Sequence, residues 1–247
     1  MNLYDAAELR MSVKSFCQEE LNKELLDDLD VYISNLVGYM PDIDYNVEII
    51  KTYGRKMRAP YYAVLYSEEK EGCYINGGYV MEQIVLYLAS RGIGTCYRMR
   101  PIGIDVKDVV GRKYIIAIAF GIAKDEIYRN PESAKRISIE RLCVAKSTPT
   151  KDMRNILKVA RLAPSSFNSQ PWRFVITDNR IHIYKRESGT TLTDHISDVD
   201  VGVMLANMVV CAEELWVDIT VKRIEELEEK KFARNVYVTS IKFEKYT

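Results

Sequence analysis

A chain in which one helical pattern recurs at a fixed offset has few ways to fold. The apolar segment over about Asn76–Arg91 ends at Gly92 and Gly94, and a shift of 124 positions carries it onto a second one over about Asp200–Trp216. Gly78 falls on Gly202, Met81 on Leu205, Gln83 on Asn207, Leu86 on Val210 and Ile93 on Val217. A shift of 123 carries Ile33 onto Ile156, Leu36 onto Val159 and Pro41 onto Pro164. Two amphipathic helices share an apolar stripe easily. A glycine, an amide position and a loop proline are harder to share by accident. The pattern predicts an α+β chain of two tandem similar halves, with mixed or antiparallel sheets flanked by helices.

The remaining elements follow that plan. A helix is expected over 18–36, opened by a Ser15–Gln18 capping box, and strands at 47–50, 62–66 and 115–120. The second half repeats the order. It opens with a helix over 148–162, capped by Thr148 with Pro149 at its first position. Strands at 173–177 and 181–185 follow, then the second long helix, a strand from 218 and another over 236–243. The halves meet near 143–148, which gives units 1–145 and 146–247. No Gly/Ser- or Pro-rich linker lies there, so the halves are expected to pack together.

Composition narrows the function. Lysine plus arginine and aspartate plus glutamate number 35 each, so nothing suggests a nucleic-acid surface. The start MNLYDAAELR lacks the basic and apolar regions of a secretory signal. The apolar run Tyr114–Ala123 is about half the ~20 residues a membrane helix needs. Five scattered cysteines with no Cys-x-x-Cys argue against a disulfide framework and a zinc site. They suit a cytoplasmic setting. With two histidines, chemistry built on histidine pairs or triads is a poor starting point. No metal site is expected.

The residues most suggestive of chemistry form one stretch, Ala163-Pro164-Ser165-Ser166-Phe167-Asn168-Ser169-Gln170-Pro171-Trp172. Two prolines fix the backbone and hydroxyls and amides fill the space between. Neutral amides donate and accept at once, which suits a ring edge of alternating donors and acceptors. The same residues also read as a Pro-bounded helix-to-strand loop with Trp172 in the core. On the residues alone, both readings stand.

This stretch resembles the signature loop of the nitroreductase family of FMN-dependent oxidoreductases: Ala-Pro-Ser, two residues, Asn, one residue, Gln-Pro-Trp. Other pieces match in order. Arg10, Ser12 and Lys14 resemble the family's phosphate-binding opening, where charge-assisted bonds would grip a dianion. Lys56 resembles the lysine that approaches the flavin and would stabilise the reduced ring. Gly92-Ile93-Gly94-Thr95 resembles the turn after the long helix. Lys135 and Arg136 resemble basic residues of the C-terminal segment that also touch the phosphate. A competing reading makes Arg136–Glu140 a degenerate second copy of Arg10–Lys14.

The resemblance implies a nitroreductase fold, closest to the family's fused single-chain branch, in which two halves form a pseudo-dimer within one chain. Pro164, Ser165, Ser166, Asn168 and Gln170 would bind the ring, with Gly94 and Thr95 nearby. The equivalent loop in the first half, Met40–Asn46, keeps the proline but lacks the serines and the Gln-Pro-Trp. One composite FMN site per chain is therefore expected, its twin empty. NADH or NADPH would reduce FMN, and a small-molecule acceptor such as a nitroaromatic or quinone would follow it in ping-pong order. Other flavin reactions, or a non-catalytic flavin-binding or sensor protein, are the alternatives. The expected state is a monomer or weak homo-oligomer, with no nucleic-acid or membrane partner.

Overall fold

The computed structural model describes residues 1–52, 59–101, 104–187, 189–229, 232 and 234–244. It divides into two compact units, Met1–Ser133 and Ala134–Thr247. Unit 1 begins with α1 (Leu3–Leu9) and α2 (Lys23–Ser34). The strands β1 (Tyr45–Lys51) and β2 (Tyr61–Ser67), the long helix α3 (Cys73–Ser90), and the strands β3 (Gly94–Arg98) and β4 (Lys113–Gly121) follow. The strands make one antiparallel sheet in the order β1-β2-β4-β3. β2 is buried along its whole length and β4 along most of it, as their runs of aromatic and β-branched residues require of central strands. β1 exposes Asn46 and Glu48 and takes the edge.

Helix α3 lies against β2 and β4 at very short range. A Cβ on Gly77 would come 2.7 Å from Ile115 Cγ2 and 3.3 Å from Leu65 Cδ2. Helix α2 adds the buried Leu29 and stacks Tyr32 on Tyr87 of α3 at 4.1 Å. It starts later than the apolar pattern suggests, at an Asn22 cap whose side chain accepts from the Glu24 N–H at 3.0 Å. Ser15 and Gln18 cap nothing there because their segment is tied elsewhere. The Val13 N–H donates to Thr95 O at 2.9 Å and the Cys17 N–H to Ile122 O at 2.8 Å.

Unit 2 repeats this plan. Its elements are α4 (Ile139–Leu142), β5 (Cys143–Ala145), α5 (Lys151–Leu162), β6 (Trp172–Thr177), β7 (Arg180–Arg186), α6 (Thr191–Glu214), β8 (Ile219–Lys222), α7 (Glu225–Glu228) and β9 (Asn235–Phe243). The sheet order is β5-β6-β7-β9-β8, so β6-β7-β9-β8 reproduces β1-β2-β4-β3. The irregularities match as well. β2 slips register against β4 between Leu65 and Tyr66, and β7 slips against β9 between Ile183 and Tyr184. Residues 134–145, expected in the first half, belong to unit 2 because β5 pairs in parallel with β6.

Helix α5 buries Met153, Ile156, Leu157, Val159 and Ala160 on one face. Its cap is Thr150, whose side chain accepts from the Met153 N–H at 3.2 Å, rather than Thr148. Helix α6 begins nine residues ahead of the apolar pattern's Asp200, at a Thr190–Thr193 capping box. Its first two turns are polar, so apolar periodicity does not report them. Among the described residues, α6 alone is long and apolar enough to cross a membrane, but 72% of its apolar window is buried. That is the signature of a core helix. Replacing Thr150 by alanine should lower stability by about 1 kcal/mol in urea denaturation. Thr148→Ala should change it by less than about 0.5 kcal/mol, and a larger loss from Thr148→Ala would place the helix start where the sequence pattern put it.

Candidate functional site

Unit 1 brings four of the sequence-selected residues together. Residues 10–13 run extended between two neighbours. Ser12 bridges Thr95 in parallel fashion, Arg10 bridges Tyr128, and the Met11 N–H donates to Ile127 O at 2.9 Å. Gly94 permits this approach, since a Cβ there would lie 2.9 Å from Val13 Cγ2 and 3.0 Å from Ala123 Cβ. Arg10, Ser12, Gly94 and Thr95 therefore share one corner of the unit. Arg10 is not a solvated cation: it is 3% exposed, donates Nη2–H to Ser12 Oγ at 3.3 Å, and has no partner for Nε. Ser12 and Lys14 are exposed. Lys56 lies outside the described residues.

Behind Arg10 is a group that the sequence reading passed over. Glu82 of α3 is fully buried. Its Oε2 accepts from the Tyr97 hydroxyl at 2.7 Å, and Oε1 has no partner. Burial pushes its carboxyl up to about 7, against the opposing pull of the Arg10 charge and the Tyr97 bond. Arg129 shares this environment; burial, and then the Arg10 charge, lower its pKa. A lone glutamate inside a helix as apolar as α3 was the available signal.

In unit 2 the Ala163–Trp172 loop is strained and heavily braced. Phe167, Asn168 and Gln170 have φ of 54°, 56° and 47°, a region that non-glycine residues enter at a cost of roughly 1–3 kcal/mol each. Phe167 is 99% exposed and Trp172 is fully buried. The Gln170 N–H donates to Ser165 Oγ at 3.0 Å. The Gln170 side chain is 3% exposed and works inside the unit. Its Oε1 accepts from the Ile137 N–H at 2.8 Å, and its Nε2 donates to Asn168 O and Oδ1, both at 3.2 Å. Asn168 is exposed, yet its Nδ2 donates to Lys135 O at 2.9 Å.

Arg136 is engaged by this same loop. Its Nη1 donates to Asn168 Oδ1 at 2.8 Å and its Nη2 to Leu162 O, at the end of α5, at 3.2 Å. A cation suits the free carbonyls of a helix C-terminus. Lys135 contributes its backbone carbonyl and is itself exposed. The other brace comes from α6. Asp200, 4% exposed, accepts from the Ser166 N–H at 2.9 and 3.0 Å, from the Ser166 hydroxyl at 3.1 Å and from the Ser169 hydroxyl at 3.3 Å. Burial raises its carboxyl to about 6, with those bonds pulling it down. The sequence reading did not single out Asp200, although an acid standing at the head of an apolar run was visible.

The repeated fold and the braced loop define a nitroreductase-type protein. The chain belongs to the family described as "Putative TM nitroreductase", whose model matches residues 2–212. A family of that kind makes the function that of an oxidoreductase. A structure from Thermotoga maritima, described as a putative nitroreductase, has the same fold: TM-score 0.66 and 22% identity, covering 98% of this chain and 93% of that one. A nitroreductase with bound FMN from Desulfitobacterium hafniense aligns at TM-score 0.42 and 14% identity, over 56% of this chain and all of that one. A nitroreductase family protein from Clostridium novyi aligns at 0.42 and 17%, over 51% and 87%. Comparison with curated proteins gives no match.

Glu82 makes stability depend on pH. Its folded pKa is raised, so the folded state holds the proton more tightly than the unfolded chain does. Stability is lost as pH rises from about 4.5 toward about 7. Glu82→Gln keeps an acceptor for Tyr97 and removes the charge. Relative to wild type it should gain about 2–3 kcal/mol between pH 5 and pH 8 in urea denaturation; a difference independent of pH would show that Glu82 is not a buried titrating group.

Proposed function

We propose that this protein is an FMN-dependent NAD(P)H oxidoreductase. The observation that carries the reading is the complete Ala163–Trp172 signature on a backbone held in left-handed geometry at Phe167, Asn168 and Gln170. Membership of the nitroreductase-type family supports it. The donor sets fit the cofactor. A buried guanidinium with a spare Nε–H, an exposed hydroxyl and an exposed lysine suit a phosphate dianion. The loop offers the ring edge the exposed Asn168 amide and the Ser165 hydroxyl, while the Ser166 hydroxyl is taken up by Asp200 inside the unit.

FMN, when bound, supplies reversible uptake and release of hydride, which the side chains of this chain cannot perform. The protein's work is binding and orientation. Arg10, Ser12 and Lys14 hold the phosphate in this proposal, and Lys56 offsets negative charge on the ring. Asn168 fixes the ring edge, while Gln170, Lys135 and Arg136 hold Asn168 in place. Reductant and acceptor would be served in turn, in ping-pong order. The acceptor class proposed is a nitroaromatic, a quinone or a similar small molecule, and the setting proposed is the cytoplasm, as a monomer or weak homo-oligomer.

Purified protein should be yellow, with about one FMN per chain by absorbance after denaturation, and should oxidise NADH or NADPH when a quinone or nitroaromatic is supplied. Two FMN per chain would overturn the single-site arrangement. Flavin without turnover would leave a binding protein. Lys14→Glu or Asn168→Ala should weaken FMN binding about tenfold or more, whereas Asp42→Ala should leave the dissociation constant unchanged, as titrated by flavin fluorescence.

A further inference from the structure

The two units solve one problem with different side chains. Asn76 of α3 and Asp200 of α6 stand 124 positions apart, the offset of the repeat. Each is buried, and each reaches from its helix to the proline-containing loop of its own unit. Asn76 Oδ1 accepts from the Met40 N–H at 2.8 Å, and its Nδ2 has no partner. Asp200 serves three donors, all on one turn: the Ser166 N–H, the Ser166 hydroxyl and the Ser169 hydroxyl. That turn contains the left-handed Phe167 and Asn168.

We infer that Asp200 is the positioning residue of the Ala163–Trp172 loop: from the rigid helix α6 its carboxylate holds Ser166 and Ser169, and with them the strained turn that presents Asn168. The inference rests on the flavin reading for its consequence, not for the contact itself. Three features favour it over plain packing. A carboxylate accepts on both oxygens, and both are used, each contacting the Ser166 N–H. An amide in the same place would keep one acceptor and set an N–H2 group against the Ser166 N–H. The three donors are neutral, so the buried charge is retained where an uncharged anchor would be less costly to bury. The turn it holds contains residues that do not adopt their backbone angles unaided. Burial raising the carboxyl to about 6 is consistent with a group kept for geometry rather than for stability.

The test uses the full chain. Asp200→Asn and the double variant Ser166→Ala/Ser169→Ala are compared with wild type in amide hydrogen exchange without flavin, in FMN titration by fluorescence, and in the visible absorption band of bound FMN. The double variant approaches the same contact from the loop and keeps the test alive should Asp200→Asn fail to fold. Exchange should speed up in peptides covering residues 163–172 and stay unchanged in β6, β7 and β9. The FMN dissociation constant should rise about tenfold to a hundredfold, with the band moving toward that of free flavin. Unchanged exchange over 163–172 in both variants overturns the inference. So does faster exchange with unaltered affinity and band. Should wild type bind no FMN, the flavin reading fails by itself, and the exchange comparison still decides whether Asp200 holds the loop.

Discussion

Each unit depends on one apolar helix packed with a sheet whose strands, β5 apart, run antiparallel, and the helix is shielded from water along most of its length. In α3 the approach is close enough that Gly77 has no room for a Cβ against Ile115. In α6 burial is nearly continuous from Val199 to Ala212. Apart from Asn207 of α6, whose amide has no partner, a buried polar side chain on such a helix finds a partner in the protein. It therefore dictates what stands beside it. Asn76 requires an N–H donor and leaves no room for a side chain at Gly38, whose Cβ would lie 2.6 Å from its Oδ1. Asp200 requires the hydroxyl-rich turn of Ser166 and Ser169. Glu82 draws the Tyr97 hydroxyl.

The difference between the two anchors follows the charges of their loops. The unit 1 loop carries Asp42 and Asp44, and Asp44 is already paired with Arg112. A buried carboxylate at position 76 would bond to a loop that already carries these two exposed acids. A neutral amide avoids this and leaves one N–H unserved. The unit 2 loop has no acid between Ala163 and Trp172, so a carboxylate is tolerated there and three donors can converge on it. The two units thus share one scaffold while the chemistry of their two loops differs.

Much of this was legible in the sequence. The order of the longer strands and helices in both units and the repeat offset follow from period, glycine and proline, and the signature loop follows from the family resemblance of Ala163–Trp172. Three kinds of feature escaped. Helix starts were misplaced at α2, α5 and α6, because the segment ahead of Asn22 is tied to strand neighbours instead of coiling, the first two turns of α6 are polar, and α5 is capped by Thr150 rather than by the threonine before Pro149. The short β3 and β5 are defined by pairing with β4 and β6 rather than by their own composition. Glu82 and Asp200 were missed for a different reason. A single acid inside an apolar helix is invisible to periodicity, and its importance comes from which donors the fold brings to it.

Buried polar atoms without partners sharpen the picture of where binding chemistry is concentrated. They occur at Thr239 and Ser147 as well as at Arg10, Glu82, Trp172 and Asn207, so an orphan atom alone marks nothing. Charge makes the distinction. Among the described residues, Arg10 and Glu82 are the two charged side chains that are both nearly fully buried and carry an unpartnered atom. An unsatisfied ion in a protein interior is far more expensive than an unsatisfied hydroxyl or indole N–H. It persists when another requirement holds it in place. Here that requirement coincides with the one segment, Arg10–Lys14, whose residue pattern suits a phosphate.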